Sequence, residues 1–321
     1  MRVLSLPGRE PGDAAGTGGA AVTIGAYDGV HLGHRELIAR TREDAARRSA
    51  VSAVVTFDRH PATVVRPDSA PLLLTDTEQK LELLAATGVD LTLLVRFDAE
   101  RAAEPPESFV RDVLVGVMEA RSVVVGDDFH FGRDRRGNVE LLARMGRELG
   151  FDVTGASLRQ ADGGPVSSTR IRKLVARGDV REARALLGRY HQVRGVVAHG
   201  DGRGRELGFP TANLTVPAGI AVPADGVYAA WFTGGDGVRR KACVSVGRRP
   251  TFYAESGEVL VEAHLLGWDG DLYGQRGRVD FVARQRGQER FDSAGALVRQ
   301  MARDVEDARR LLDDELSGDG A

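Results

Sequence analysis

Apolar and polar positions keep two different rhythms along this chain, and the change between them divides it. Over the first half, short apolar runs alternate with segments whose apolar residues recur every three or four positions. "AVTIG" is β-rich, "HRELIARTREDAARRS" has helical spacing and "AVVTF" is β-rich again, which predicts a βαβ unit. The rhythm continues with a helix "TEQKLELLAATG" ending at Gly88, a strand "VDLTLLVRF", a helix "PPESFVRDVLVGVME" with proline near its start, and a buried strand "RSVVVG". "NVELLARMGRELG" and "FDVTGAS" add a further helix and strand. Such alternation predicts an α/β domain with a parallel sheet, whose ligands sit beyond the carboxyl ends of the strands.

After "SSTRIRKLVARGDVREARALLGRYH" the rhythm shortens. "QVRGVVAHG", "GVYAAWFT", "KACVSVG", "VLVEAHLLG" and "RVDFVAR" are β-rich pieces separated by Gly, Asp and Pro turns, with no helix between them. They predict a small antiparallel barrel or sandwich, closed by one last helix, "SAGALVRQMARDVEDARRLLDDEL". The boundary is placed near Leu187 to His191, giving domains 1–187 and 188–321. A length of 321 residues suits two domains.

Composition removes several classes of partner. With 44 basic and 46 acidic residues interleaved, the net charge is −2 and there is no single-sign stripe of the kind nucleic-acid binders carry. No apolar run approaches the roughly 18 residues that span a bilayer, and "MRVLSLPGREPGD" lacks the apolar core of a signal peptide, so a cytoplasmic protein without a membrane partner is expected. The one cysteine, Cys243 in "KACVSVG", excludes a disulfide within the chain and reads as a buried structural thiol. Oligomerisation is possible but not predicted.

Candidate chemistry gathers at strand ends. "TIGAYDGVHLGHRELI" puts a Gly-rich turn between strand and helix, so His31 and His34 sit where the helix dipole and its first N–H groups favour anions. Imidazole donors there suit a polyphosphate, and Gly33 lets the backbone approach it; the plainer reading makes both histidines helix caps. "PVSSTRIRKL" offers Ser167, Ser168 and Thr169 as caps, while Arg170 and Arg172 fall in the first turn, where cations are disfavoured unless an anion occupies the helix end. In "VVVGDDFHFGRDRRGN", Asp127 and Asp128 could hold Mg²⁺ and Phe129 and Phe131 a flat polycyclic substrate, or the acids could face solvent and the rings pack.

A second Gly-rich stretch, "GDGRGRELGFPTANLTVP", fits neither a Walker A loop nor a dinucleotide fingerprint, and a plain loop is the default reading. Its "GFPTANL" is more informative. Pro210 stiffens the turn, and Thr211 and Asn213, two apart in a strand-like segment, present uncharged oxygens that can reach one magnesium or phosphate. Glu262 in "VLVEAHLLG" points away from Val261 and Ala263; it is either a surface or paired acid, or the base that accepts a hydroxyl proton in phosphoryl transfer.

The spacing H-x-G-H between strand and helix resembles the nucleotidyltransferase superfamily. End to end, "GAYDGVHLGH", "TFDRHP", "VVVGDDFHFG", "PVSSTRIR", "GDGRGRELGFPTANL", "DGVYA", "SVGRRPTF", "VEAHLLGWDGDLYG" and "RFDS" resemble, in that order, the bacterial riboflavin kinase/FAD synthetase family. The resemblance implies an FMN adenylyltransferase on a Rossmann-like sheet followed by a riboflavin kinase on a six-stranded β-barrel, with ATP as co-substrate, Mg²⁺, and riboflavin, FMN and FAD as substrates and products. By position it implies that His31 and His34 act in adenylyl transfer, with Gly25, Asp28, Gly33, Ser168, Thr169 and Arg172 on ATP and Asp127, Phe129 and Phe131 on the flavin. In the kinase it implies Gly202, Gly208, Pro210, Thr211 and Asn213 for ATP, Thr211 and Asn213 for the metal, Glu262 as general base, and Phe291 and Asp292 for the flavin. The chain departs from the family pattern at Ala26, at Tyr27 where Phe is usual, and at Arg59 where Pro is usual. These departures motivate a second reading, a kinase with a weak or re-purposed nucleotidyltransferase domain; a third is a non-catalytic flavin-binding regulator.

Overall fold

The computed structural model describes residues 1–6, 18–157, 159–200, 203–248 and 259–318. They form two compact units, Met1–Ser168 and Thr169–Ala321. In the first, strands β1 (Arg2–Leu6), β2 (Ala20–Ile24), β3 (Val51–Phe57), β4 (Leu91–Val95), β5 (Ala120–Gly126) and β6 (Asp152–Ala156) make one sheet in the order β1-β4-β3-β2-β5-β6. Every pairing in it is parallel. Helices α1 (Leu32–Arg48), α2 (Thr77–Ala85), α3 (Pro106–Phe109) and α4 (Val139–Leu149) cover its faces.

A sheet covered on both sides needs strands that are apolar on both sides. β3 meets this demand: Ala53 and Val55 enter one core with Leu93, Val123 and Leu142, while Val54 enters the other with Tyr27, Ile38 and Leu84. The helices start and stop where polar side chains and glycine allow it. Asp76 caps α2 by accepting from Gln79 N (2.7 Å), Asn138 caps α4 by accepting from Leu141 N (2.8 Å), and Gly150 at φ +86° ends α4.

Two local features were not predicted. β1 is a short edge strand with one buried side chain, Leu4, and it is held by long-range pairing with β4 rather than by a rhythm of its own. The expected helix after Pro105 is α-helical only through Phe109 and then widens into a π-helical stretch, Val110–Val117.

Helix α5 (Ser168–Arg177) starts at the last residue of the first unit; in the second unit its remainder and α6 (Val180–Leu187) precede strands β7 (His191–Ala198), β8 (Ala212–Thr215), β9 (Gly226–Thr233), β10 (Arg239–Arg248), β11 (Val259–Leu265) and β12 (Arg276–Arg286). The strands close into an antiparallel barrel, β7-β8-β11-β10-β9-β12. Alternate residues such as Leu214, Phe232, Val244, Val261, Ala263 and Phe281 fill it. Helix α7 (Ala294–Gly318) lies on the outside, where Ala308 and Leu312 meet Ala229, Trp231 and Val282. Arg286 ties β12 to this helix through a two-pronged bond to the buried Asp304 (2.9 and 2.6 Å).

The compact units divide earlier than the change of rhythm near Leu187. The reason is packing: Val180 of α6 enters the barrel core and Arg284 donates to the carbonyl of Arg177 (3.3 Å), so α6 and the end of α5 group with the strands that follow them. Cys243 is half-buried beside α7, and burial together with the Asp304 carboxylate pushes its thiol up to about 12, the inert state expected of it. Among the described residues no helix is long and apolar enough to cross a membrane.

Candidate active sites

Chain order places the first site. From β2 the chain builds β3 and β4 to one side, then crosses back to place β5 on the other side of β2, so β2 and β5 flank the point where strand order reverses. Loops leaving that point open a crevice at the carboxyl edge. The turn after β2 leads into α1 through His31, whose Nδ1 accepts from His34 N (3.3 Å). His31 is therefore a helix cap, and the two readings of it combine, since the ring that caps α1 stands at the helix end where an anion is favoured. The rings of His31 and His34 stack at 3.6 Å, 16° from parallel. Gly33 lies close to the same ring: a Cβ there would stand 3.3 Å from His31 and 3.4 Å from Val166 O.

Asp28 faces inward. Its buried carboxylate accepts from the backbone N–H groups of Leu74 (2.9 Å) and Thr75 (3.1 Å), so it shapes the turn before His31. Ser168 Oγ donates to Asp28 O (2.8 Å), which brings the first residue of α5 to the same turn. Arg170 lies in the first turn of α5, whereas Arg172, the fifth helical residue, begins the second turn rather than the first as expected, because the helix already starts at Ser168; Thr169 is exposed, with Arg172 at 3.5 Å from its hydroxyl. The departures from the family pattern are absorbed locally. The buried Tyr27 hydroxyl shares a hydrogen bond with Thr23 (2.7 Å), and burial holds it un-ionised far above the ordinary range. Ala26 contributes its carbonyl to Thr56 (3.2 Å), and Arg59 is exposed beside Asp58 (3.3 Å).

Across the crevice, Asp127 and Asp128 follow β5 and are exposed. Asp127 Oδ1 would stand 2.8 Å from a Cβ at Gly155, so that glycine makes room for the carboxylate. Phe129 and Phe131 stack on each other (5.4 Å, 15°) and pack against the sheet's core, which fits the packing reading of both rings.

In the barrel, strand register does what the alternation in sequence predicts. Val261 and Ala263 point into the core and Glu262 away from it, with Asn213 of β8 opposite on one side and Ser245 of β10 on the other. The Gly-rich loop lies tightly against this face: a Cβ at Gly200 would stand 2.2 Å from Asn213 Nδ2, and one at Gly204 would stand 2.5 Å from Phe209 O and 3.4 Å from Thr211 Oγ1. Gly208 takes φ +87°, and Pro210 O accepts from His264 Nδ1 (2.9 Å). Gln288 donates to Ser245 Oγ (3.0 Å) and Val246 O (2.9 Å), fastening the segment that runs to Phe291 and Asp292 beside Glu262's strand neighbour. The Phe291 ring lies 5.9 Å from the Arg286 guanidinium, and Asp292 is exposed. Gly202, like residues 249–252 of "SVGRRPTF", lies outside the described residues.

Among the described residues no three His, Cys, Asp or Glu side chains cluster as a metal cage. The uncharged oxygens of Thr211 and Asn213, with the backbone of Gly200 and Gly204 close against them, are nevertheless a donor set that fits a hard cation shared with phosphate oxygens. Sequence reasoning missed Gly200 and Ser245. Gly200 stands in a glycine-rich stretch that hid its specific contact, and Ser245 became visible only once register set it across from Glu262.

Two family models match the chain, one described as FAD synthetase over residues 14–170 and one described as riboflavin kinase over residues 187–312. The bifunctional riboflavin kinase/FMN adenylyltransferase of Escherichia coli strain K12 is 38% identical over 294 residues, covering 92% of this chain and 93% of its own. The chain belongs to the bifunctional riboflavin kinase/FMN adenylyltransferase family. The family's members from Pseudomonas fluorescens and Listeria monocytogenes are 38% and 33% identical, over 91% of this chain in each case and 93% and 92% of their own. A solved structure named as a macrolide-efflux protein, from Streptococcus pneumoniae, superposes with a TM-score of 0.85 at 30% identity, covering 96% of this chain and 99% of that one. The two candidate sites fall one in each matched segment of the chain: His31, His34 and Ser168 in the first, Asn213 and Glu262 in the second.

Proposed function

We propose that the barrel phosphorylates riboflavin to FMN and that the parallel sheet adenylylates FMN to FAD, each step consuming ATP. In functional terms the adenylyltransferase is residues 1–187 and the kinase residues 188–321. The observation that carries this reading is a pairing of unlike centres in one chain: stacked histidines at a helix start on a parallel sheet, and a carboxylate opposite an asparagine on a barrel.

The residue types suit the two reactions. In the kinase, the riboflavin 5′-hydroxyl oxygen bonds to the γ-phosphorus of ATP as the bond to ADP breaks, and Glu262 takes the hydroxyl proton. Thr211 and Asn213 would hold Mg²⁺, which when bound neutralises charge on the phosphates. Gly202, Gly208 and Pro210 shape the ATP loop, and Phe291 and Asp292 are assigned to the flavin. In the adenylyltransferase, an FMN phosphate oxygen bonds to the α-phosphorus of ATP and pyrophosphate leaves. That nucleophile is already an anion, so the site needs donors rather than a base. His31 and His34 donate to phosphate oxygens at the α1 N-terminus, with Gly25, Gly33, Ser168, Thr169 and Arg172 on ATP, Asp28 supporting the turn, and Asp127, Phe129 and Phe131 on the flavin side.

A weak or re-purposed first domain is less favoured, since Tyr27 is accommodated by Thr23 and both motif histidines are in place. A cytoplasmic location accords with substrates made and used inside cells. The test is to incubate the purified protein with riboflavin, ATP and magnesium and to separate flavins over time. FMN first and FAD afterwards supports both assignments; FMN alone, with supplied FMN and ATP also giving no FAD, rejects the first domain's assignment.

A further inference from the structure

The turn that delivers His31 is strained. Tyr27 (φ +49°), Gly29 (φ +82°) and Val30 (φ +37°) take left-handed backbone within four residues, a conformation that a β-branched side chain such as Val30 strongly disfavours. Strain of this kind persists only where the surroundings over-determine it. Here one short segment, Leu74–Lys80, supplies much of that constraint. Thr75 Oγ1 accepts from Gly29 N (3.1 Å) and stands 3.3 Å from Asp28 Oδ1, to which it donates; the backbone N–H groups of Leu74 and Thr75 hold the same carboxylate. Thr75 is 4% exposed, so water does not substitute for these bonds.

The other end of the segment grips a second loop. Lys80 Nζ, on α2, donates to the carbonyl of Phe57 (2.6 Å), the last residue of β3, and Thr77 Oγ1 donates to the carbonyl of Asp58 (3.0 Å). Asp58 in turn accepts from Phe97 N (2.9 Å). Burial drives the Lys80 amine down to about 8, while the Asp28 and Asp58 carboxylates favour its charged form from the two loops it lies between. A lysine kept this far from water and aimed at a strand-end carbonyl contributes position at the carboxyl edge rather than solubility.

We propose that Thr75 and Lys80 are positioning residues for adenylyl transfer, clamping the turn before His31 and the loop after β3 in the one relative arrangement that presents the stacked histidines to nucleotide phosphates. The proposal rests on the assignment of adenylyl transfer to this domain. Neither residue touches the reacting atoms; each acts through backbone that it holds.

Thr75→Val keeps the volume and removes both side-chain bonds, whereas Thr75→Ser keeps the bonds. Steady-state FAD formation from supplied FMN and ATP is measured for the full chain, with riboflavin phosphorylation in the same preparation as internal control. Thr75→Val is expected to lower kcat for FAD formation about 10- to 100-fold, with KM for ATP changing less, as misplacement of a reacting geometry by an ångström does. Thr75→Ser is expected within about threefold of the parent chain, and kinase activity unchanged in both. Lys80→Met is the second probe, expected to lower the same kcat with the kinase intact, and it decides the matter should Thr75→Val lose its fold. Full adenylyl transfer in both Thr75→Val and Lys80→Met overturns the proposal, as does equal loss in the valine and serine variants. A parent chain that makes no FAD from FMN and ATP rejects the underlying assignment instead.

Discussion

Adding one carbon at Gly200 should disable the kinase selectively. An alanine Cβ there would stand 2.2 Å from Asn213 Nδ2 and 2.6 Å from its Cγ, where ordinary contact begins near 3.4 Å, so the Asn213 amide and the loop must separate by about 1 Å. Gly200 does not occupy left-handed backbone, so alanine adds no conformational penalty and the effect is local sterics. Displacement by about 1 Å of the group proposed to hold the metal costs on the order of 100-fold in rate, equivalent to about 2.7 kcal/mol of transition-state stabilisation. The assay is kcat/KM for riboflavin phosphorylation, read by chromatography, with FAD formation from FMN as the control that should stay constant. A double-mutant cycle sharpens it: with Asn213→Ala already present, Gly200→Ala should add little. Phosphorylation by Gly200→Ala within about threefold of the parent chain would refute the reasoning, because Asn213 would then be free to move without consequence.

Three further outcomes follow from the same geometry. Glu262→Gln should abolish FMN formation while leaving FAD formation from supplied FMN; equal loss of both contradicts the division of labour. His31→Ala with His34→Ala should do the reverse, lowering FAD formation by about 100-fold or more while riboflavin phosphorylation continues. Stability of the barrel unit should depend on His191, which is buried with Nε2 against Ala221 O (2.8 Å) and whose pKa burial lowers from 6.5 to about 4, with Arg189 adding to the fall. The unfolded chain takes up that proton more readily, so this contribution is complete above pH 6.5 and is lost as pH falls towards 4, amounting to about 3 kcal/mol. Urea midpoints at pH 7.5 and 4.5 should therefore drop further in the parent chain than in His191→Gln, and equal drops would contradict the assignment.

Much of the architecture is legible from periodicity because the two units use different ones. Both-sided burial gives the parallel strands continuous apolar runs, as it does β9 under α7, while one-sided burial gives β8 and β11 the alternation that also placed Glu262 on the outward face. What escaped depends on distant partners. β1 exists because β4 offers it an edge, and α6 joins the barrel because Val180 meets residues that follow it in the chain. Asp28 was read as an ATP residue from its motif, whereas the fold turns its carboxylate inward onto Leu74 and Thr75, backbone partners that no local spacing announces. Lys80 and Thr75 were passed over for a related reason, since a lysine and a threonine around an amphipathic helix look like surface until the loops they hold are in view.

The single thiol under the C-terminal helix also makes the chain its own reporter. Burial pushes the Cys243 thiol well above the usual range and packs it beside α7, so a maleimide dye should react slowly at pH 8 while α7 stays down. Labelling then counts liftings of that helix, and its rate at rising dye concentration separates how often the helix opens from how long it stays open, a clock on peripheral unzipping that needs no introduced probe.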